Sequence, residues 1–333
     1  MFAGSHPDSL IFHQPSWLQA LRDVYGYEPV ALVLEDHGAG IRAGWPFMIV
    51  RSRLTGSRLV SLPFSHHVGP LLETQEHAEH LLVAALAAVR RHHLGRLDGR
   101  GWSPRVPPLR QLVPTVIHQE HLIDLSHGPE SVLKRVDKDM RYSIRRASRE
   151  GVTARIGTPA DSDLFYGLYV ALRKKQGLLP QPRAFIEQIF SGIIGHDNGF
   201  LVVAEHGGRA VTALLSLGHG PIVVGSHSGS LPEARRLRAA HLALWTSVEE
   251  ACRRGYQWYN LGRTDEGSAG LAHFKQGWGT EQKPLPYFTV DPKGAPARSS
   301  DDGIKRAALG LFVGCMPKTV IPAVSAAAYR HLG

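Results

Sequence analysis

Cysteine is nearly absent. The chain has two in 333 residues, Cys252 and Cys315, and no C-x-x-C pair, which excludes a disulfide framework and points to a reducing compartment. Long apolar runs are missing too. The longest clean one, Leu81 to Val89, falls far short of the roughly 20 residues that span a bilayer. The N-terminus lacks a basic start followed by an apolar run, so the expected location is cytoplasmic. Carboxylates and cysteines do not accompany the histidines at ligand spacing around His92/His93 or His118/His121, so no metal is expected. Neither G-x-S-x-G nor a Cys beside a credible His partner is present, which argues against a covalent nucleophile.

What is present is a globular composition, 43% hydrophobic and 20% charged, with a net charge of +9. The length favours two domains. Two stretches resemble each other: ALVLEDHGAGIRAGWPFMIV from Ala31 and FLVVAEHGGRAVTALLSLG from Phe200 each read as a hairpin. A further strand follows each (RLVSLPF and PIVVGSHS), then an amphipathic helix, Glu76 to His93 and Ala234 to Arg254, then a short Gly/Arg segment. The shared order suggests duplication of a mixed α/β unit. Prolines between Arg100 and Pro114 mark the crossover, and Asp291 to Gly303 reads as a linker. The expected division is 1–125, 126–290, and a linker with an amphipathic tail over 291–333. From Ile304 that tail either lies on a membrane surface, at the inner face of the cell membrane, or docks on a domain.

Charge is concentrated. Between Lys134 and Arg155 eight Lys/Arg face three acids, a net +5 of the chain's +9. Leu133, Val136, Met140, Ile144 and Ala147 follow the spacing of one apolar helix face, with Gly151 as the stop. Lys134, Lys138, Arg141, Arg145 and Arg149 form a separate stripe short of compensating acids, a field suited to phosphates. No recognition helix, finger or RNP-type motif accompanies it, which argues against sequence-specific DNA binding.

KDMRYSIRRASREGV from Lys138, LRKKQGLLPQP from Leu172, YNLGRTDEGSAGL from Tyr259 and HFKQGWG from His273 together resemble the second acyltransferase domain of FemAB-like proteins, including those with a BioF2-like acetyltransferase domain. FHQPSWLQALRDVYGYEP and LVSLPFSHHVGPLL extend the resemblance through the first half. The resemblance implies an α/β (α+β) chain of two tandem GNAT-like folds, mixed sheets flanked by helices. It implies transfer of an acyl or aminoacyl group to an amine by direct attack, with acyl-CoA or aminoacyl-tRNA as donor and a peptidoglycan or exopolysaccharide precursor as acceptor. One departure concerns the donor: where acetyl-CoA enzymes carry R/Q-x-x-G-x-G/A, this chain has Arg235 to Ala240 with Arg238 at the glycine position.

The resemblance makes Lys275 and Arg263 the first catalytic candidates, and Arg263 is equally placed to pair with Asp265 or Glu266. His227, where a GNAT fold opens its central strands, is a candidate base. Arg141, Arg145, Arg173, Lys174, Arg235 and Arg238 are candidate phosphate contacts, and His66 and His67 candidate substrate contacts. Two alternatives stand beside this reading: an acetyl-CoA-dependent N-acetyltransferase acting on an amino sugar, and a non-catalytic module that binds an anionic glycan or RNA.

Overall fold

The computed structural model describes residues 2–36, 38, 40–297 and 320–333. The first elements are α1 (Phe2–Ser5), α2 (Pro15–Tyr25), β1 (Glu28–Asp36), β2 (Gly40–Val50), β3 (Arg58–Val60), α3 (Gln75–Arg91) and β4 (Arg96–Arg100). α2 starts on Pro15, whose missing N–H costs nothing there, and stops at Gly26, in the left-handed conformation at φ 71°. Strands β1 and β2 form the expected hairpin, β3 joins β2 antiparallel, and β4 joins β3 in parallel across α3. Ala78, Leu81, Leu82, Ala85 and Val89 are the buried stripe of α3, in one cluster with Trp45, Phe47 and Leu97.

Next come β5 (Val116–Asp124), α4 (Gly128–Arg135), α5 (Lys138–Arg149), β6 (Val152–Ile156), α6 (Ser162–Lys175), α7 (Arg183–Gly192), β7 (Gly199–His206), β8 (Arg209–His219), β9 (Ile222–Ser230), α8 (Ala239–Arg253), β10 (Trp258–Thr264) and α9 (Ala269–Gln276). The second copy repeats the first. β7 and β8 form the hairpin, β9 joins β8 antiparallel, and β10 joins β9 in parallel across α8. Last are β11 (Glu281–Val290) and α10 (Ile321–Leu332).

These elements make two units, neither contiguous in sequence. Unit 1 gathers the described residues of 2–118 with 284–297 and 326–333, and unit 2 gathers 119–283 with 320–325. Within unit 1 the strand order is β1-β2-β3-β4-β11, and within unit 2 it is β5-β10-β9-β8-β7-β6. Each copy of the repeat therefore has its last strand flanked by a partner from outside the copy. β11 follows the whole second copy yet pairs antiparallel with β4, from Tyr287 opposite Arg100 to Val290 opposite Leu97. β5, which precedes the second copy, pairs antiparallel with β10. Residues 291–297, expected as linker, return to unit 1: Asp291 caps a turn, Val290 bridges Pro296, and Arg90 donates to the Pro292 carbonyl.

Two helices differ from expectation. The apolar face over 133–149 belongs to two helices, because Val136 is extended (ψ 135°) and the Asp137 N–H donates to the Gly277 carbonyl at 2.8 Å. A backbone donor engaged across the fold is no longer available to continue the helix ladder. The helix expected from Ala234 begins at Ala239, after a 3-10 turn over Pro232–Arg235 and the left-handed Arg238. α5 ends before Gly151, as expected from its spacing, with that glycine at φ 80°.

The apolar stretch over 307–316 lies outside the described residues. The described end of the tail docks on unit 1: Tyr329 is buried beside the Tyr25 and Phe64 rings, and its carbonyl accepts from Tyr27 Oη at 2.7 Å. No helix among the described residues is long and apolar enough to cross a membrane.

Candidate active site

In unit 2 the parallel pairing of β9 with β10 runs only from Ile222/Trp258 to Val224/Asn260, although both strands continue beyond it. Beyond that point each strand carries a bulge. On β9, Leu215 faces His227 and Ser216 faces Gly225, leaving Ser226 as the extra residue. On β10, Asn260 faces Leu122 and Arg263 faces Glu120, so Leu261 and Gly262 share one partner position. Bulges end regular pairing and re-aim side chains, which is how the two central strands come to part.

A polar cluster fixes the β10 bulge. Asn260 Oδ1 accepts from the Gly262 N–H at 2.7 Å, and Asn260 Nδ2 donates to Glu120 Oε1 at 2.7 Å. Gly262 has φ 75°, a conformation suited to glycine. Lys275, reaching from α9, is 5% exposed and donates from Nζ to the carbonyls of Gly262 (2.8 Å) and Arg263 (2.9 Å). Burial lowers the Lys275 pKa to about 8, against the pull of Asp265 and Glu120, so the group is still mainly an ammonium at neutral pH. Arg263 pairs with Asp265 at 2.8 Å, the ion pair open to it from sequence.

At the far end of β9 lies a pocket of about 210 Å³. Ser230, Leu231, Ala234, Arg235, Arg238 and Ala240 line it, with Leu172, Lys175 and His241. It opens on the N-terminus of α8, a helix of 15 residues with no side-chain cap. Ala239 and Ala240 therefore bring their N–H groups to the helix end where intrahelical acceptors run out. Arg238 stands at the expected glycine position and still holds glycine's left-handed backbone, φ 57° and ψ 22°. The substitution has kept the turn and added a guanidinium. By contrast, α3 in unit 1 closes its own N-terminus, with Thr74 Oγ1 accepting from the His77 N–H at 3.2 Å.

The other expected contacts separate. Arg235 and Arg238 line the pocket, and from the run at the end of α6 it is Lys175 that does so, not Arg173 or Lys174. Arg173 lies over the Tyr169 ring at 5.9 Å and donates to the Leu179 carbonyl at 3.2 Å. Lys174 is half-buried. Arg141 and Arg145 lie on α5, Arg141 half-buried and Arg145 exposed, and neither lines the pocket. His66 and His67 are held within unit 1: His66 meets the Phe12 ring edge-on at 5.2 Å, and His67 Nε2 lies 3.3 Å from the Trp102 carbonyl.

His227 is half-buried on β9, with Nδ1 2.8 Å from Ser226 Oγ and Nε2 2.6 Å from Gln181 Oε1. Burial, with Arg173 nearby, lowers its pKa to about 4. His241, at the pocket wall and edge-on to Phe274 at 5.4 Å, is lowered likewise to about 4, first by burial and then by Arg238. Sequence reading passed over Ser226, Gln181, Asn260, Glu120 and His241. The position of Gln181 within LLPQP, of Asn260 within YNLGR and of Ser226 beside His227 gave the hints of them.

Residues 134–276 match the sequence profile of an acetyltransferase (GNAT) domain. Comparison with curated protein sequences gives no match. Among solved structures, FemX is similar at TM-score 0.67 and 12% identity, over 85% of this chain and 93% of that one. The C-terminal domain of a putative lysylphosphatidylglycerol synthetase from Agrobacterium fabrum is similar at TM-score 0.54 and 13% identity, over 87% and 89%. A tandem GNAT protein from the clavulanic acid biosynthesis pathway is similar at TM-score 0.51 and 12% identity, over 82% and 85%. With an acetyltransferase (GNAT) domain in its second half and the same hairpin, strand, helix and strand order in its first, the chain has the fold of a FemAB-like tandem-GNAT protein.

Proposed function

We propose that the protein is an acyltransferase that moves an acyl or aminoacyl group from a phosphate-bearing donor to an amine of a cell-envelope precursor. The observation that carries this reading is the uncapped N-terminus of α8, opening on a pocket with Arg235, Arg238 and Lys175 around it. Backbone N–H groups, the positive end of a helix and three cations in one place suit a pyrophosphate or phosphodiester. From Ser230 at the pocket to Ser226 at the bulge is four residues of strand, about 13 Å. A pantetheine arm covers that length, which favours acyl-CoA over aminoacyl-tRNA as donor and would bring the thioester to the opening between β9 and β10.

The neutral amine attacks the acyl carbonyl directly, the C–N bond forms, and the donor leaves as its thiol or alcohol, without an acyl-enzyme. Lys275 and Arg263 supply positive potential at the end of β10 for the developing oxyanion. Lys275 acts there while its own N–H groups hold the bulge. Arg141, Arg145, Arg173 and Lys174 extend the basic field that attracts an anionic donor or precursor. The acceptor class, a peptidoglycan or exopolysaccharide precursor, follows from the sequence resemblance. His66 and His67 are proposed as substrate contacts on the ground of the duplication.

The test is thermal-shift binding with CoA, acetyl-CoA, aminoacyl-tRNA and a nucleotide-linked muropeptide, followed by mass detection of acylated product. Stabilisation by a donor, with product formed at catalytic protein levels, is expected. Binding without product favours the glycan- or RNA-binding module. Product on a free amino sugar favours the N-acetyltransferase reading.

A further inference from the structure

The Ser226 bulge holds a polar relay whose direction is determined by its far end. Gln181 is 6% exposed, its N–H pointing to Tyr169 Oη at 3.3 Å and its carbonyl accepting from Tyr166 Oη at 3.4 Å. Its side-chain amide turns Oε1 toward the His227 ring, and an amide oxygen can only accept. His227 Nε2, 2.6 Å away, therefore carries the ring's hydrogen. A neutral imidazole has one N–H, so Nδ1 is the acceptor, and the Ser226 hydroxyl at 2.8 Å is the donor to it. The Tyr169 and Phe185 rings at 5.7 and 6.4 Å bury the imidazole, and Arg173 is the charge that faces it, so a second proton is disfavoured across the neutral range. Neighbouring side chains in a regular strand point to opposite faces. Here the bulge turns Ser226 and His227 to the same side, and Ser226 stays half-buried where β9 leaves β10.

We propose that Ser226 is the residue that recognises the acceptor amine: with its proton committed to His227 Nδ1, Oγ offers only lone pairs to the opening and takes an N–H of the incoming amine. Gln181 and His227 are positioning residues that keep the hydroxyl pointed inward. The proposal rests on the acyltransferase reading and adds to it the feature that selects the nucleophile. An amine held by its N–H presents its own lone pair to the acyl carbon.

The test is steady-state transfer by wild type, Ser226→Ala, Ser226→Thr and Gln181→Glu. In Ser226→Ala the KM for the amine is expected to rise about tenfold, the worth of one hydrogen bond, with donor KM unchanged. Ser226→Thr keeps the hydroxyl and is expected to stay near wild type. Gln181→Glu places a carboxylate on Nε2, lets the ring hold a second proton, and turns the Ser226 hydroxyl outward. It is expected to lose the amine as Ser226→Ala does, although the serine remains. An amine KM within twofold of wild type in Ser226→Ala overturns the assignment while leaving the acyltransferase reading intact. Absence of transfer by the wild type from every donor overturns both. Independently of turnover, 15N NMR of the His227 ring is expected to show a protonated Nε2 and a bare Nδ1, and a protonated Nδ1 overturns the relay.

Discussion

Lys275 donates from Nζ to the backbone carbonyl of Arg263 at 2.9 Å, so the two residues singled out first for catalysis are fastened to one another. The second bond, to the Gly262 carbonyl, places the ammonium on the β10 bulge. One side chain thus shapes the end of the strand and brings a positive charge to it.

Lys275→Ala is therefore expected to cost stability as well as transfer. A buried carbonyl and a partly buried one lose their donor, at about 1–3 kcal/mol. Urea unfolding measures the first effect and product formation the second. Arg263→Ala, at a partly exposed ion pair, is expected to lower transfer with little change in the urea midpoint.

Arg238→Gly separates the two roles of that residue. A non-glycine residue in the left-handed region is strained by about 1 kcal/mol, so glycine is expected to raise the urea midpoint. The same change removes a pocket cation, and donor affinity is expected to fall about tenfold in a binding titration. A rise in affinity would mean that the guanidinium obstructs the donor.

His227 and His241 are expected to make the protein acid-sensitive. Each has a folded pKa near 4, below the ordinary 6.5. As pH falls through 6.5 the unfolded chain takes up protons that the folded one refuses. Their contribution to stability is thus intact above about pH 6.5 and lost progressively toward pH 4. Urea midpoints at pH 7 and pH 5 measure the loss, and replacing both with Gln is expected to flatten it.

Tyr329→Ala tests the return of the tail to unit 1. Removing a buried ring packed on Tyr25 and Phe64 is expected to cost about 3 kcal/mol, seen as a lower melting temperature.

Much of this was legible in the residues. The repeat, the hairpins and the stripe of α3 follow from side-chain periodicity, which is a local property. The phrases around Lys138, Leu172, Tyr259 and His273 pointed to the acyltransferase fold. Local pattern also overreached: the spacing from Leu133 to Ala147 reads as one helix, and only the bond from Asp137 to Gly277 breaks it.

By itself the sequence determined the duplicated α/β unit, the placement of more than half the excess charge in one segment, and the lack of cysteines for a disulfide framework. Tertiary structure alone decided that β11 completes unit 1, that Arg238 keeps a glycine's backbone, that Lys275 is buried on β10, and that Ser226 is turned beside His227 by a bulge. The physical reason is common to all four. Each depends on a hydrogen bond or a strand register joining segments far apart in the chain, or on a backbone angle that packing imposes, and periodicity along the sequence carries no record of either.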